Sequence, residues 1–159
     1  MGIFVIMSRY FWLIAIAVTG INAYLIKFRS TKYIRENPEL SDGYKKLVTG
    51  YFILLNIPWV VMGVGCIIGK VPSLWHFFKP RDGNPYVLAW FGSVFILWIL
   101  YTIWLFFKGG TVMLSKHPGV FGEITNPTLI KLFSLLMIAG GIFGFVFMWI
   151  IDIPIPKFQ

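Results

Sequence analysis

The chain has 159 residues, 58% of them hydrophobic and only 13% charged, with a mean hydropathy of +0.79. A soluble domain carries about a quarter charged residues, and a single small domain cannot bury this much apolar surface by itself, so lipid is the missing solvent. A net charge of +8 would point to nucleic acid in a soluble protein; here the basic residues flank apolar runs, so anionic lipid headgroups are the expected counterpart and no nucleic-acid partner is expected. The one cysteine, Cys66, excludes an internal disulfide and any CxxC redox or zinc motif.

Residues 10–26 form the first charge-free run, bounded by Arg9 and Lys27. This is short for a span, but both flanking cations can reach outward to the headgroups, which predicts a helix over about 10–27. Ala15-Ile16-Ala17 looks like a signal-peptide cleavage site, yet the first eight residues carry no positive side chain, so an uncleaved span is expected.

A polar stretch follows, with Lys27, Arg29, Lys32, Arg35, Lys45 and Lys46 set against Glu36, Glu39 and Asp42. These six cations are the expected headgroup contacts. The first helix should run past the membrane to about Glu36. Asn37-Pro38-Glu39 then reads as a stop and a restart, with Asn as cap and Pro at the first helical position. The second span is predicted over 47–69. It contains Asn56 and Pro58, so a kink is expected near mid-membrane, with the carbonyl freed by Pro58 satisfied by the Asn56 amide. The same two residues are the candidates for a pore or ligand contact.

Residues 70–82 make a short connection whose Trp75, Phe77 and Phe78 suit the headgroup layer. The third span, about 85–108, belongs to the longest charge-free run, 83–107, which as a helix reaches roughly 30 Å or more. Either Gly109-Gly110 ends this helix or it continues to His117-Pro118-Gly119. Asn126-Pro127 opens the last span, about 129–151, and Asp152, Pro154 and Pro156 stop it.

The reading is an all-α integral membrane protein, one domain over residues 1–159 with four transmembrane helices. The first and third connections hold nine basic residues, counting Lys108, Lys116 and Lys131; the other side holds Arg9, Lys70, Lys79, Arg81 and Lys157. The positive-inside rule then places those two connections in the cytoplasm and both termini outside or in an organelle lumen. Residues 33–40 (YIRENPEL) align with 113–120 (MLSKHPGV), which would make two tandem helical hairpins of the same orientation. Identities are few, so a Pro near a cation at a helix end is the slightly better account.

All four apolar cores lack Asp, Glu, Lys, Arg and His, which counts against a proton-coupled transporter or a cation pump. His76 and His117 fall in connections on opposite sides of the bilayer, so one subunit cannot use both as axial haem ligands, and neither has metal-ligand spacing to a carboxylate or cysteine. His117, with Glu123 nearby, is the better candidate for an interfacial site; His76 is the lesser one. No nucleophile elbow, HExxH or phosphate loop is present. The helices are instead rich in packing residues: Gly63, Gly65 and Gly69 in the second span, and Gly140, Gly141 and Gly144 in the fourth. These serve either the bundle itself or contact with another protein. Trp90, Val94, Leu97, Tyr101 and Trp104 share one face of the third span.

The expected function is therefore non-catalytic: a small accessory or assembly subunit of a larger membrane complex, with membrane lipids and other membrane subunits as partners. No cofactor is indicated, and bound lipid is expected. The alternatives are a small transporter or channel made by oligomerisation, and a haem-, pigment- or quinone-binding redox subunit.

Overall fold

A computed structural model describes residues 2–156, so Lys157 of the charge tally lies outside the described residues. The chain folds into helices throughout: α1 (Ile3–Arg9), α2 (Phe11–Glu36), α3 (Ser41–Ile67), α4 (Leu74–Phe77), α5 (Pro85–Phe107), α6 (Gly110–Ser115) and α7 (Pro127–Ile150). Four of these, α2, α3, α5 and α7, are long and apolar enough to cross a membrane, and the protein is an all-α, multi-pass membrane protein. Their outward faces carry exposed Ile53, Phe95, Ile96, Phe133 and Phe143, side chains that water would not tolerate in such number and lipid does.

Each Asn-Pro pair works as the local chemistry dictates. Asn37 Oδ1 accepts from the Glu39 N–H at 3.2 Å, Asn84 Oδ1 from Tyr86 at 3.0 Å, and Asn126 Oδ1 from Thr128 at 2.8 Å. The side-chain oxygen satisfies a donor that the first helical turn leaves orphaned, and proline lacks the donor that would otherwise be orphaned beside it. The first of these turns is a short 3-10 segment, Pro38–Leu40, between α2 and α3.

The spans pack as an antiparallel series. Trp12 of α2 lies against Gly63 of α3, and Gly20 of α2 faces Phe52 of α3. Gly65 of α3 receives Phe77 and Tyr86, Gly69 just past the end of α3 receives the Tyr86 ring from the start of α5, and Trp98 of α5 fills the space over Gly141 of α7. Two apolar clusters result, one at each end. Phe77, Met62, Val71, Val87, Trp90 and Phe91 make up the first, hereafter the Phe77 end. Leu47, Leu105, Leu114 and Ile130 make up the second, at the Tyr44 end. The Trp90-to-Trp104 face of α5 is consumed by this packing: Trp90 is buried in the first cluster, while Tyr101 and Trp104 pack on the second.

Two expectations are refined. The third span does not run on to His117. It stops at Phe107, Gly109 turns the chain in the left-handed conformation (φ +74°), and α6 resumes as a separate short helix. The Asn56 amide does not take the carbonyl freed by Pro58, which is that of Leu54. Its Nδ2 donates instead to the Phe52 carbonyl at 2.7 Å, one helical turn below its own position. A side chain points back along its helix toward the N-terminus, so the carbonyl four residues earlier is the one within reach.

At the Phe77 end, Lys79 Nζ and Asp152 form a 2.8 Å ion pair that ties the end of α7 to the α4–α5 connection. The hydrogen bond to Asp152, opposed by partial burial, raises the Lys79 ammonium above its ordinary range. The lysine's share of the pair is therefore present at neutral pH and is lost as pH climbs through that raised value.

Candidate functional site

Four side chains from three separate segments converge at the Tyr44 end. Tyr44, almost fully buried, donates its hydroxyl proton to the Pro118 carbonyl at 2.8 Å. The His117 ring stands edge-on to the Tyr44 ring, with centroids 4.8 Å apart. Tyr33 stacks on Tyr44, with centroids 6.4 Å apart, and donates to Glu123 Oε2 at 2.7 Å. The end of α2, the start of α3 and the loop over residues 116–125 are thus held by one set of rings and hydroxyls. Within the loop the Gly119 N–H donates to the Gly122 carbonyl at 2.7 Å, and Gly119 sits against Tyr33 and the stem of Arg29.

Gly43 makes this arrangement possible. His117 Nε2 lies where a Cβ at position 43 would stand, so only glycine leaves room for the ring. On the other side of the ring, Nδ1 lies 2.6 Å from the Met113 carbonyl. A carbonyl can only accept, so Nδ1 carries a hydrogen, and the ring turns Nε2 toward Gly43. With the ring 7% exposed and Nε2 pressed on the α3 backbone, an iron or magnesium ion has no approach to it without moving the helix. The chemistry of this cluster is adhesive: it holds a loop against a hairpin.

Tyr44→Phe tests this directly. The ring stack is kept and the Pro118 carbonyl loses its donor, so a loss of about 1–3 kcal/mol is expected in detergent unfolding, together with faster amide exchange over 116–125. An unchanged exchange rate there would remove the latch.

The six predicted headgroup cations, Lys27, Arg29, Lys32, Arg35, Lys45 and Lys46, are all exposed and gather around this end. Lys108, Lys116 and Lys131 are exposed there too. His76 is elsewhere: it lies in α4 at the Phe77 end, with Nδ1 3.0 Å from Ser73 Oγ. The length of α3 separates the two histidines by about 40 Å, at 1.5 Å of rise per residue.

The glycines divide by environment. Gly63, Gly65, Gly69 and Gly141 each carry an aromatic ring from a neighbouring segment. Gly140 and Gly144 have nothing within 4 Å of a would-be Cβ, so the bundle does not use them. Asn56 is 7% exposed, and its Oδ1 is buried without a hydrogen-bond partner. It shares a helical stripe with Phe52 and Gly63, both of which face α2, and so looks into the α2–α3 contact rather than out of the bundle.

Tyr33, Tyr44 and Gly43 were not singled out by sequence reasoning. The available signal was weak: a tyrosine on each side of the Asn37-Pro38 turn, at positions that polar neighbours make look solvent-facing. The chain matches no protein-family model, no curated protein and no solved structure to which it was compared.

Proposed function

We propose that this protein is a non-catalytic accessory or assembly subunit of a larger membrane complex, and that a partner's transmembrane helix docks on α7. The observation that carries this reading is the poor cover of that helix. Only 6% of its most apolar stretch is buried, against 28% for that of α3, and Gly140 and Gly144 lie open one turn apart. Small residues one turn apart let a second backbone approach closely, which in lipid is the main source of helix association. The nine exposed cations around the Tyr44 end would face the cytoplasm and engage anionic lipid or a peripheral partner. Both termini would then lie outside or in a lumen.

Two alternatives lose ground on geometry. An oligomeric pore through Asn56 needs that side chain on an outer face, and it is turned into the α2–α3 contact. A haem or pigment on His117 needs Nε2 free, and Gly43 covers it.

The test is gentle detergent purification through a C-terminal tag, with native mass spectrometry. Heterologous membrane subunits should appear in fixed ratio, and should be lost in Gly140→Leu/Gly144→Leu, whose own unfolding in detergent stays at least as stable as wild type because both positions are open. A stable monomer with nothing bound would overturn the reading. A homo-oligomer alone would move the weight to transport.

A further inference from the structure

A cleft of about 650 Å³ opens at the Phe77 end, between the α1–α2 elbow and the C-terminus of α3. Arg9 and Lys70 both line it, and among the described residues no acidic side chain does. The rest of the wall is apolar or aromatic and includes Tyr10, Trp12, Cys66 and Ile67. Its size falls within the range of about 300–1,000 Å³ that small-ligand sites occupy. Trp12 is fixed as part of the wall because its ring rests on Gly63. The Arg9 guanidinium lies 5.9 Å from the Tyr10 ring centroid.

Lys70 is placed at the cleft by the end of α3, where the Val71 N–H donates to the Gly65 carbonyl at 3.0 Å. Lys70 is the one non-glycine among the described residues with a positive φ, at +52°. The left-handed region costs an L-residue on the order of 1–2 kcal/mol, and four glycines take the other such positions. That conformation is the left-handed one with which a helix end is closed, so it belongs to the cap of α3, where glycine is the usual choice. At position 70 a glycine would relieve the cost; lysine keeps an ammonium at the cleft.

We propose that this cleft binds an anionic phospholipid, with Arg9 and Lys70 on the phosphate oxygens and the acyl chains running down the exposed Ile67 and Ile68. Two cations with no acid between them repel one another unless an anion lies at the same place. The cleft sits where two membrane spans end, which is the depth of headgroup phosphates, and its apolar wall continues into the lipid-facing surface of α3. A lipid meets both conditions and a free phosphate only the first. The proposal is separate from docking on α7 and from the cation cluster at the opposite end.

Cys66, the only thiol in the chain, lines the cleft and reports on it. The rate of maleimide labelling is measured on the full-length protein in mild detergent, with added phosphatidylglycerol, phosphatidylcholine or inorganic phosphate. Phosphatidylglycerol should slow labelling, and the other two should not. In Arg9→Gln/Lys70→Gly the phosphatidylglycerol needed for half-protection should rise about tenfold or more, and Arg9→Lys should restore much of the loss. Lys70→Gly is chosen because it removes the ammonium and relieves the backbone at once. Equal protection by phosphatidylcholine, or protection by phosphatidylglycerol that the double variant leaves unchanged, would overturn the charge-specific site. Protection by inorganic phosphate alone would overturn lipid as its source. If phosphatidylglycerol does not slow labelling of the wild-type protein, the proposal fails whatever the variants do.

Discussion

Gly43→Ala is expected to destabilise the protein by about 1–3 kcal/mol, while Gly50→Ala on the same helix should stabilise it by about 0.5–1 kcal/mol. Both substitutions add one methyl group and both raise helix propensity, so propensity alone would give them the same sign. They differ in what the methyl meets. At position 50 nothing lies within 4 Å, and the entropic gain of alanine over glycine is realised in full. At position 43 the methyl lands in the His117 imidazole. The ring cannot simply slide away, because Nδ1 is bonded to the Met113 carbonyl and its edge packs on Tyr44. Either the 116–125 loop lifts, which unseats the Tyr44–Pro118 and Tyr33–Glu123 bonds, or α3 shifts. Unfolding of both variants in one detergent checks the signs, and equal shifts in the same direction would show that the ring is not confined.

The four spans were legible because charge-free length is a one-dimensional property. A run such as 83–107 needs no partner to be recognised, and an Asn-Pro pair signals a helix start through groups within three residues of each other. The break at Lys108–Gly109 was legible as one of two options, since Gly-Gly permits a turn without compelling it. What could not be read was anything decided between segments. Gly140 and Gly141 are neighbours in sequence and equivalent by composition, yet Trp98 covers one and nothing covers the other. The distinction depends on the rotation of α7 about its axis, and an apolar helix in lipid has no polar face to announce that rotation. The latch is similar. Tyr33, Tyr44 and His117 are brought together only once α2, α3 and the 116–125 loop are in place, and none lies in a recognisable spacing. Asn56 was legible as unusual but not in its partner, because the choice between Phe52 and Leu54 is set by side-chain direction rather than by the position of the proline.

Asn56→Leu should raise stability by about 1–3 kcal/mol, the reverse of what removal of a buried hydrogen bond ordinarily does. The amide makes one bond, Nδ2 to the Phe52 carbonyl. That carbonyl is also the regular helical acceptor for the backbone N–H of residue 56, so it keeps a partner when the side chain goes. Oδ1, in contrast, is buried with no donor, and in a bundle surrounded by lipid there is little water to supply one. Leucine has nearly the same shape and removes the orphaned acceptor, so the cost disappears and the packing stays. Unfolding of the full-length protein in detergent gives the sign. If Asn56→Leu is more stable and the capture of partner subunits is unchanged, the asparagine is dispensable to binding and the pore reading has no residue left to rest on. If it is less stable, Oδ1 has a donor in the working protein, and an oligomer or a bound molecule that reaches into the α2–α3 contact must supply it. The transport reading makes a third demand, loss of flux with the fold intact, and a stabilised variant with undiminished flux would exclude Asn56 from any pathway.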